Sequence, residues 1–393
     1  LDGRSPRDPV RAATRLFATL LVTAIGLPAQ ADTVLTEAPW GSLSDGRAIT
    51  RYTLTNASGA RASFIPLGAA IVALEAPDRG GNIADVVLGF DRAADYNTNN
   101  GAYMGLTVGR YASRIFGREL RIGDETSMLD APANRDGMPG DVILHGGPDG
   151  FSARVWEAER VVTAEGTGLR FTLDSPDGDQ GFPGAVRASV TYHWTDAHEL
   201  IASYAATTTR PTVINLTQHS YFNLAGAGNG DITGHLLRID ADFYTFALPD
   251  NRPTGEIRAV RDTPFDFTTA KPIGRDIDAD DPQMRANRGY NQNFVLRRSP
   301  LPGALATAAE LEDPVSGRVM TVLTNEPGLF LYTANFIDTR RPMKDGHIYP
   351  LRAGVALETG HFPDAPNQPH FPRTTLMPGD TYESRTVFAF SAR

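Results

Sequence analysis

Downstream of residue 31 the chain is broken at short intervals by Gly, Pro, Asn and Asp, and the runs between the breaks alternate in polarity or carry β-branched residues. GLRFTLDS (168–175), ASVTYHWT (188–195), LIASYAATTT (200–209) and HLLRIDADFYTF (235–246) are of this kind. Successive side chains of such a run face opposite sides of a sheet. Helical candidates are few and short; PGALATAAELED (302–313) reads equally as a helix or, in its second half, as a strand. With 38 Gly and 28 Pro in 393 residues, turns are frequent enough to link many short strands. No linker or fixed-period repeat divides residues 32–393, so the economical reading is one all-β domain, a large antiparallel β-sandwich.

The first 31 residues follow another rule. Arg11 and Arg15 precede the apolar run LFATLLVTAIGL (16–27), Pro28 ends it, and AQA (29–31) supplies small residues where a signal peptidase cuts. The expectation is a signal peptide cleaved after Ala31, with export to the periplasm or beyond. The run is shorter than the roughly 20 residues that span a bilayer, which argues against a membrane anchor. Its removal takes away four arginines and two aspartates and moves the formal charge from −9 to −11, which makes nucleic acid an improbable partner. With no cysteine, thiol nucleophiles, Fe–S clusters and cysteine-based zinc sites are excluded, and the fold relies on its core without disulfides. Lys271 and Lys344, the two lysines, read as residues of polar turns, which leaves few candidates for Schiff-base chemistry.

Four polar residues stand out. His219 lies in INLTQHSYFNLAG (214–226), a run that otherwise reads as a strand leaving a core; His145 ends the apolar run of ILHGG (143–147), directly before two glycines that let backbone approach a ligand. His219 could simply be a buried ring hydrogen-bonded to backbone, and His145 a histidine flanking a turn. Glu358 sits in the strand-like GVALET (354–359) and is expected to point inward, where a carboxylate is costly unless a partner or substrate satisfies it; Arg114 of GRYASRI (109–115) is a possible structural partner. Tyr111, Tyr221, Phe222, Tyr290 and Phe362 near these segments offer flat faces for a sugar, although such residues are more often core. GAGNG (226–230) lacks dinucleotide-binding spacing, and DIDADD (276–281) lacks the glycine of a calcium loop and reads as a solvated acidic turn.

Taken in order, these segments resemble the aldose 1-epimerases, or galactose mutarotases. The likeness runs from about residue 67 to the C-terminus through GRYASRI, ILHGG, SPDGDQGFPG (175–184), INLTQHSYFNLAG, PTGEI (253–257), TPFDF (263–267), GYNQNFVL (289–296), PGLFLYTANF (327–336) and LETGHFPDAPNQPHFP (357–372). The resemblance implies the galactose mutarotase-like supersandwich, a site in an open cleft, and interconversion of α and β anomers of a free aldose without metal or organic cofactor. By the same resemblance Glu358 is the base and His219 the acid, while His145 and Arg114 hold the sugar hydroxyls. Three positions depart from the family's usual pattern: Ser113 precedes Arg114 where Asn is common, Asn291 replaces an aspartate, and Phe330 replaces a glutamine. All three are expected to line the cleft, so the sugar stays open among glucose, galactose, a pentose or an aldose lacking a hydroxyl; monomer or dimer is also open. Two competing readings are a catalytically silent sugar-binding protein on this fold, and a metal-dependent oxygenase or hydrolase built on His145, His219 and Glu358, whose wide spacing is unusual for such a site.

Overall fold

Alternating polarity becomes sheet at intervals from Val34 to Ala392, with few and short helices among the described residues. The computed structural model describes residues 2–3, 33–130, 141–337 and 340–393; the expected signal segment and its cleavage point after Ala31 fall almost entirely outside them. Val34–Ser42, Ala48–Thr55, Arg61–Ile65, Ala70–Pro77 and Ile83–Asp85 pair in sequence order as a five-stranded meander. A nine-stranded sheet runs Glu157–Thr163, Gly166–Ser175, Val186–Trp194, Glu199–Thr208, Tyr382–Ala392, Arg318–Thr324, Ala306–Glu312, Leu236–Ile239 and Lys271–Pro272. A six-stranded sheet runs Tyr221–Phe222, Val355–Gly360, Gly328–Tyr332, Asn291–Leu296, Ala241–Ala247 and Pro253–Ala259. Every pairing between the strands named above is antiparallel, while the isolated bridge Tyr111–Asn215 is parallel. The ambiguous 302–313 segment resolves into the strand Ala306–Glu312, because its alternating face is needed beside Arg318–Thr324.

One core joins all three sheets. Leu54, Phe64 and Ile71 from the meander, Phe171, Val190, Tyr192 and Phe388 from the nine-stranded sheet, and Phe294, Leu329, Leu331, Val355 and Leu357 from the six-stranded sheet belong to a single buried cluster. Phe64 stacks on Tyr192 with ring centroids 4.8 Å apart, and Phe222 packs against Phe388 at 5.1 Å, so the nine-stranded sheet covers both neighbours. The indole of Trp194, buried in this cluster, donates to the Ala60 carbonyl at 2.9 Å, which removes the cost of burying its N–H.

The two lysines correct an expectation. Lys271 is buried, with Nζ 2.7 Å from both the Pro264 carbonyl and Asp276 and 4.2 Å from the Phe267 ring centroid. Lys344 is also buried and donates to Asp85 at 2.7 Å and the Val87 carbonyl at 2.8 Å. Both ammonium groups tie loops to strands, a role their polar sequence neighbours do not betray. The acidic turn at 276–281 is likewise partly structural: Asp281 accepts from the Gln283 and Met284 N–H groups and caps the helix Pro282–Asn287.

The outer face of the six-stranded sheet carries the polar residues. In Gly328–Tyr332 and Val355–Gly360 the core takes Leu329, Leu331, Val355 and Leu357, so Phe330, Tyr332, Ala356 and Glu358 point the other way. Each buried aliphatic contributes roughly 1.5–3 kcal/mol. A one-residue slip would exchange Leu357 for Glu358 in the core, so core burial fixes the carboxylate's direction.

Candidate active site

Glu358 lies at the base of a cleft of about 450 Å³, on a strand whose register sets it opposite Phe330. His219 reaches the same floor from the other side. It directly follows the two-residue strand Thr217–Gln218, paired with Thr107–Val108, and its backbone is held at both ends: its N–H donates to the Leu106 carbonyl at 2.9 Å and its carbonyl accepts from the Gly105 N–H at 3.0 Å. The ring lies between aromatic neighbours, with centroids 5.1 Å from Tyr221 and 5.9 Å from Tyr103. Its Nε2 is 3.4 Å from Glu358 Oε1, while its Nδ1, also buried, finds no hydrogen-bond partner among the described residues.

His145 is placed by a sharp turn. Its φ of 50° lies in the left-handed region, and Gly146 follows at φ 87° where a Cβ would come within 2.0 Å of the Gly109 carbonyl oxygen. The strand Val142–Leu144 pairs with Arg114–Phe116, which sets His145 beside Ser113. The His145 N–H donates to the Ser113 carbonyl at 2.9 Å, and the Ser113 N–H donates to His145 Nδ1 at 3.2 Å. Because Nδ1 accepts, the neutral ring carries its proton on Nε2. Its centroid is 5.2 Å from that of His219.

Burial dominates the electrostatics. It pushes the Glu358 carboxyl up to about 8, against the opposing field of Arg114. It pulls His219 down to about 4, and Arg114 acts in the same direction. Both shifts favour the neutral forms, so the pair holds one proton near neutrality, and burial favours its place on the carboxyl. Burial also lowers Arg114, whose guanidinium nevertheless stays charged and lies 5.6 Å from the Phe330 ring centroid.

One nitrogen each from His145 and His219 and one oxygen from Glu358 lie within 4.8 Å of one another, close enough to raise the question of a metal. The donor set is poorly prepared for one. Nδ1 of His145 already accepts a backbone N–H and Nε2 carries the ring proton, so a cation on either nitrogen would have to break that arrangement. The geometry suits hydrogen bonding to a polyol better than ligation.

All seven residues singled out from the sequence line this cleft: Ser113, Arg114, His145, His219, Asn291, Phe330 and Glu358. Asn291 does so as part of an amide cluster, donating to Asn287 at 2.7 Å and Asn251 at 3.2 Å. The aromatic set fares worse. Tyr221 lines the cleft, whereas Tyr111, Phe222, Tyr290 and Phe362 are packed into the buried clusters. The faces offered to a ligand are instead Tyr103, Tyr332 and Phe336, with Asn251 and Asn287 beside them. Tyr332 was legible, being two residues from Phe330 on the same strand face. Tyr103, at φ 57° in a loop, and Phe336, whose N–H donates to the Tyr332 hydroxyl at 3.1 Å, carry no comparable local signal.

Comparison with known proteins agrees with this arrangement. The family described as Aldose 1-epimerase matches residues 50–389. Galactose mutarotase from Sus scrofa is 37% identical over 358 residues, covering 91% of this chain and 98% of its own length. Aldose 1-epimerase from Escherichia coli K12 is 33% identical over 350 residues, covering 88% and 97%. Among solved structures, an aldose epimerase homologue from C. elegans superposes with a TM-score of 0.75 at 32% identity over 86% of this chain and 97% of its own. Galactose 1-epimerase from Lactobacillus acidophilus, at 24% identity, shares the fold with a TM-score of 0.77 over 92% and 99%. With the match running through the strands and loops that build the cleft, this chain belongs to the aldose 1-epimerase family.

Proposed function

We propose that this family member is a working mutarotase, in which Glu358 and His219 interconvert the α and β anomers of a free aldose by opening and reclosing its ring. The observation that carries the reading is the approach of His219 Nε2 to Glu358 Oε1, 3.4 Å apart on the floor of a cleft open to a polyol. The Glu358 carboxylate removes the proton from the C1 hydroxyl while the imidazolium of His219 protonates the ring oxygen. The C1–O5 bond breaks and the C1 carbonyl forms. Rotation about C1–C2 presents the other face, and the two proton transfers run backwards to close the opposite anomer. Carboxylate with imidazolium thus suits the closed ring, carboxylic acid with neutral imidazole suits the open aldehyde, and one proton serves both. The charge of Arg114 favours the carboxylate form, and Nε2–H of His145 donates to a sugar oxygen.

The test is polarimetry on freshly dissolved α-D-glucose, α-D-galactose and a pentose, with purified protein accelerating relaxation of at least one. Relaxation of all of them at the buffer rate, with sugar binding detected by calorimetry, would leave the silent binding protein as the better reading.

The shared proton also predicts a bell-shaped pH dependence. Above the raised Glu358 value of about 8 the pair loses its last proton and no acid remains; below the depressed His219 value of about 4 it gains a second and no base remains. These limits belong to the pair as a whole. The buffer-subtracted kcat/KM is expected to be broad and maximal between them, and a profile that keeps rising past both limits would contradict the assignment. We further propose that residues 1–31 direct export and that the mature enzyme begins at Asp32, which N-terminal sequencing of secreted material checks.

A further inference from the structure

Arg114, His219 and Glu358 come from three chain segments widely separated in sequence, and one residue on the His219 segment ties it to the other two. Asn215 is 1% exposed and lies four residues before His219. Its backbone N–H donates to the Arg110 carbonyl at 2.8 Å and its carbonyl accepts from the Ala112 N–H at 2.8 Å. Its side-chain amide then reaches two ways. Nδ2 donates to the Ala112 carbonyl at 3.1 Å and to the His361 carbonyl at 3.4 Å, and Oδ1 accepts from the His361 N–H at 2.9 Å. Ala112 is two residues from Arg114, and His361 is three residues from Glu358.

The fit leaves no slack on the Glu358 side. A Cβ on Gly360 would lie 2.9 Å from Asn215 Oδ1, so the amide packs directly on the strand that carries the carboxylate. An aliphatic side chain would fill the space but leave the His361 N–H without its acceptor and weaken the tie to the Ala112 carbonyl, and a longer amide would not fit. No other contact described above joins the Arg114, His219 and Glu358 segments at once.

We propose that Asn215 is a positioning residue that sets the separation of His219 and Glu358, and with it the rate of proton transfer. The proposal rests on the mutarotase reading. It predicts an effect on chemistry more than on binding, because Asn215 is buried and is not among the residues that line the cleft, whereas a displacement of about 1 Å between reacting groups costs on the order of 10²-fold.

The experiment compares Asn215→Ala with Asn56→Ala. Asn56 is a buried amide remote from the cleft that donates to the Thr195 carbonyl at 3.0 Å and accepts from Ser58 at 2.7 Å and the Ala60 N–H at 3.0 Å. Both variants are expected to melt earlier than wild type. Only Asn215→Ala should lower kcat, by about 10- to 100-fold with KM changed less than about threefold, and displace the alkaline limb of the kcat pH profile. Should the alanine variant fail to fold, Asn215→Asp is measured in the same way; it keeps the acceptor for the His361 N–H and loses the donor to the two carbonyls. A kcat per folded molecule within about twofold of wild type, with a superimposable pH profile, would reduce Asn215 to scaffold and overturn the proposal. The mutarotase reading fails separately, when wild-type protein exchanges no anomers.

Discussion

Glu358→Gln abolishes most of the turnover while making the folded protein more resistant to heat near neutral pH. The loss in kcat/KM is expected at about 10²- to 10⁴-fold, the usual worth of a positioned general base, because glutamine keeps the shape and hydrogen-bonding reach of the carboxyl but accepts no proton. The gain in stability follows from linkage. Folding raises the Glu358 carboxyl from its ordinary value of 4.5 to about 8 through burial, so between those values the folded state keeps a proton that the unfolded chain has lost. Wild-type stability therefore declines across that window as pH rises, and the variant escapes the decline. The difference in melting temperature between variant and wild type should be small near pH 4 and grow towards pH 8. His219→Asn should lose activity on the same scale, and the double variant should fall little below either single one, since the two groups act as a unit. A Glu358→Gln enzyme with wild-type turnover would remove the chemical core of the functional assignment.

The second large effect concerns stability first and lies one layer behind the site. Arg110 is 2% exposed, and its guanidinium holds the 175–184 loop. Nε and Nη2 donate to Ser175 Oγ at 3.0 and 2.8 Å, Nη2 to the Pro176 carbonyl at 2.7 Å, and Nη1 to the Pro183 and Gly184 carbonyls at 3.1 and 2.8 Å. Leucine in its place would strip several buried carbonyls of their donors at once. The expected loss is about 3–5 kcal/mol, read from the midpoint of urea unfolding. Lysine should rescue little, because an ammonium on a flexible stem does not span a planar fork of acceptors. Since the Arg110 carbonyl also accepts from Asn215, surviving Arg110→Lys molecules should show reduced kcat as well. A midpoint shifted by less than about 1 kcal/mol would mean that water replaces the guanidinium in this loop.

What could be read in advance depended on how local its cause was. Glu358 could be identified in GVALET as a strand carboxylate that needs a partner, but its direction could not: the sequence reading turns it inward, whereas the core takes Val355 and Leu357 and leaves Glu358 facing the cleft. Sequence reading also holds for Tyr221 and Phe330, which line the cleft. It fails for Tyr111, Tyr290 and Phe362, whose flat faces are spent in the buried clusters. It also fails for Lys271 and Lys344, where polar neighbours in sequence concealed burial decided by Asp276, the Pro264 carbonyl, Asp85 and the Val87 carbonyl.

The amino-acid order alone determined the β-rich architecture and the residue types available for proton transfer, because these follow from a period of two and from the chemistry of single side chains. The tertiary structure alone decided that the ring nitrogen of His219 meets the oxygen of Glu358, that Asn215 bridges both their segments, and that burial drives their proton affinities past one another. Those outcomes depend on long-range strand pairing and on shared exclusion of water, to which residues separated by more than a hundred positions contribute together and which no short stretch of chain encodes.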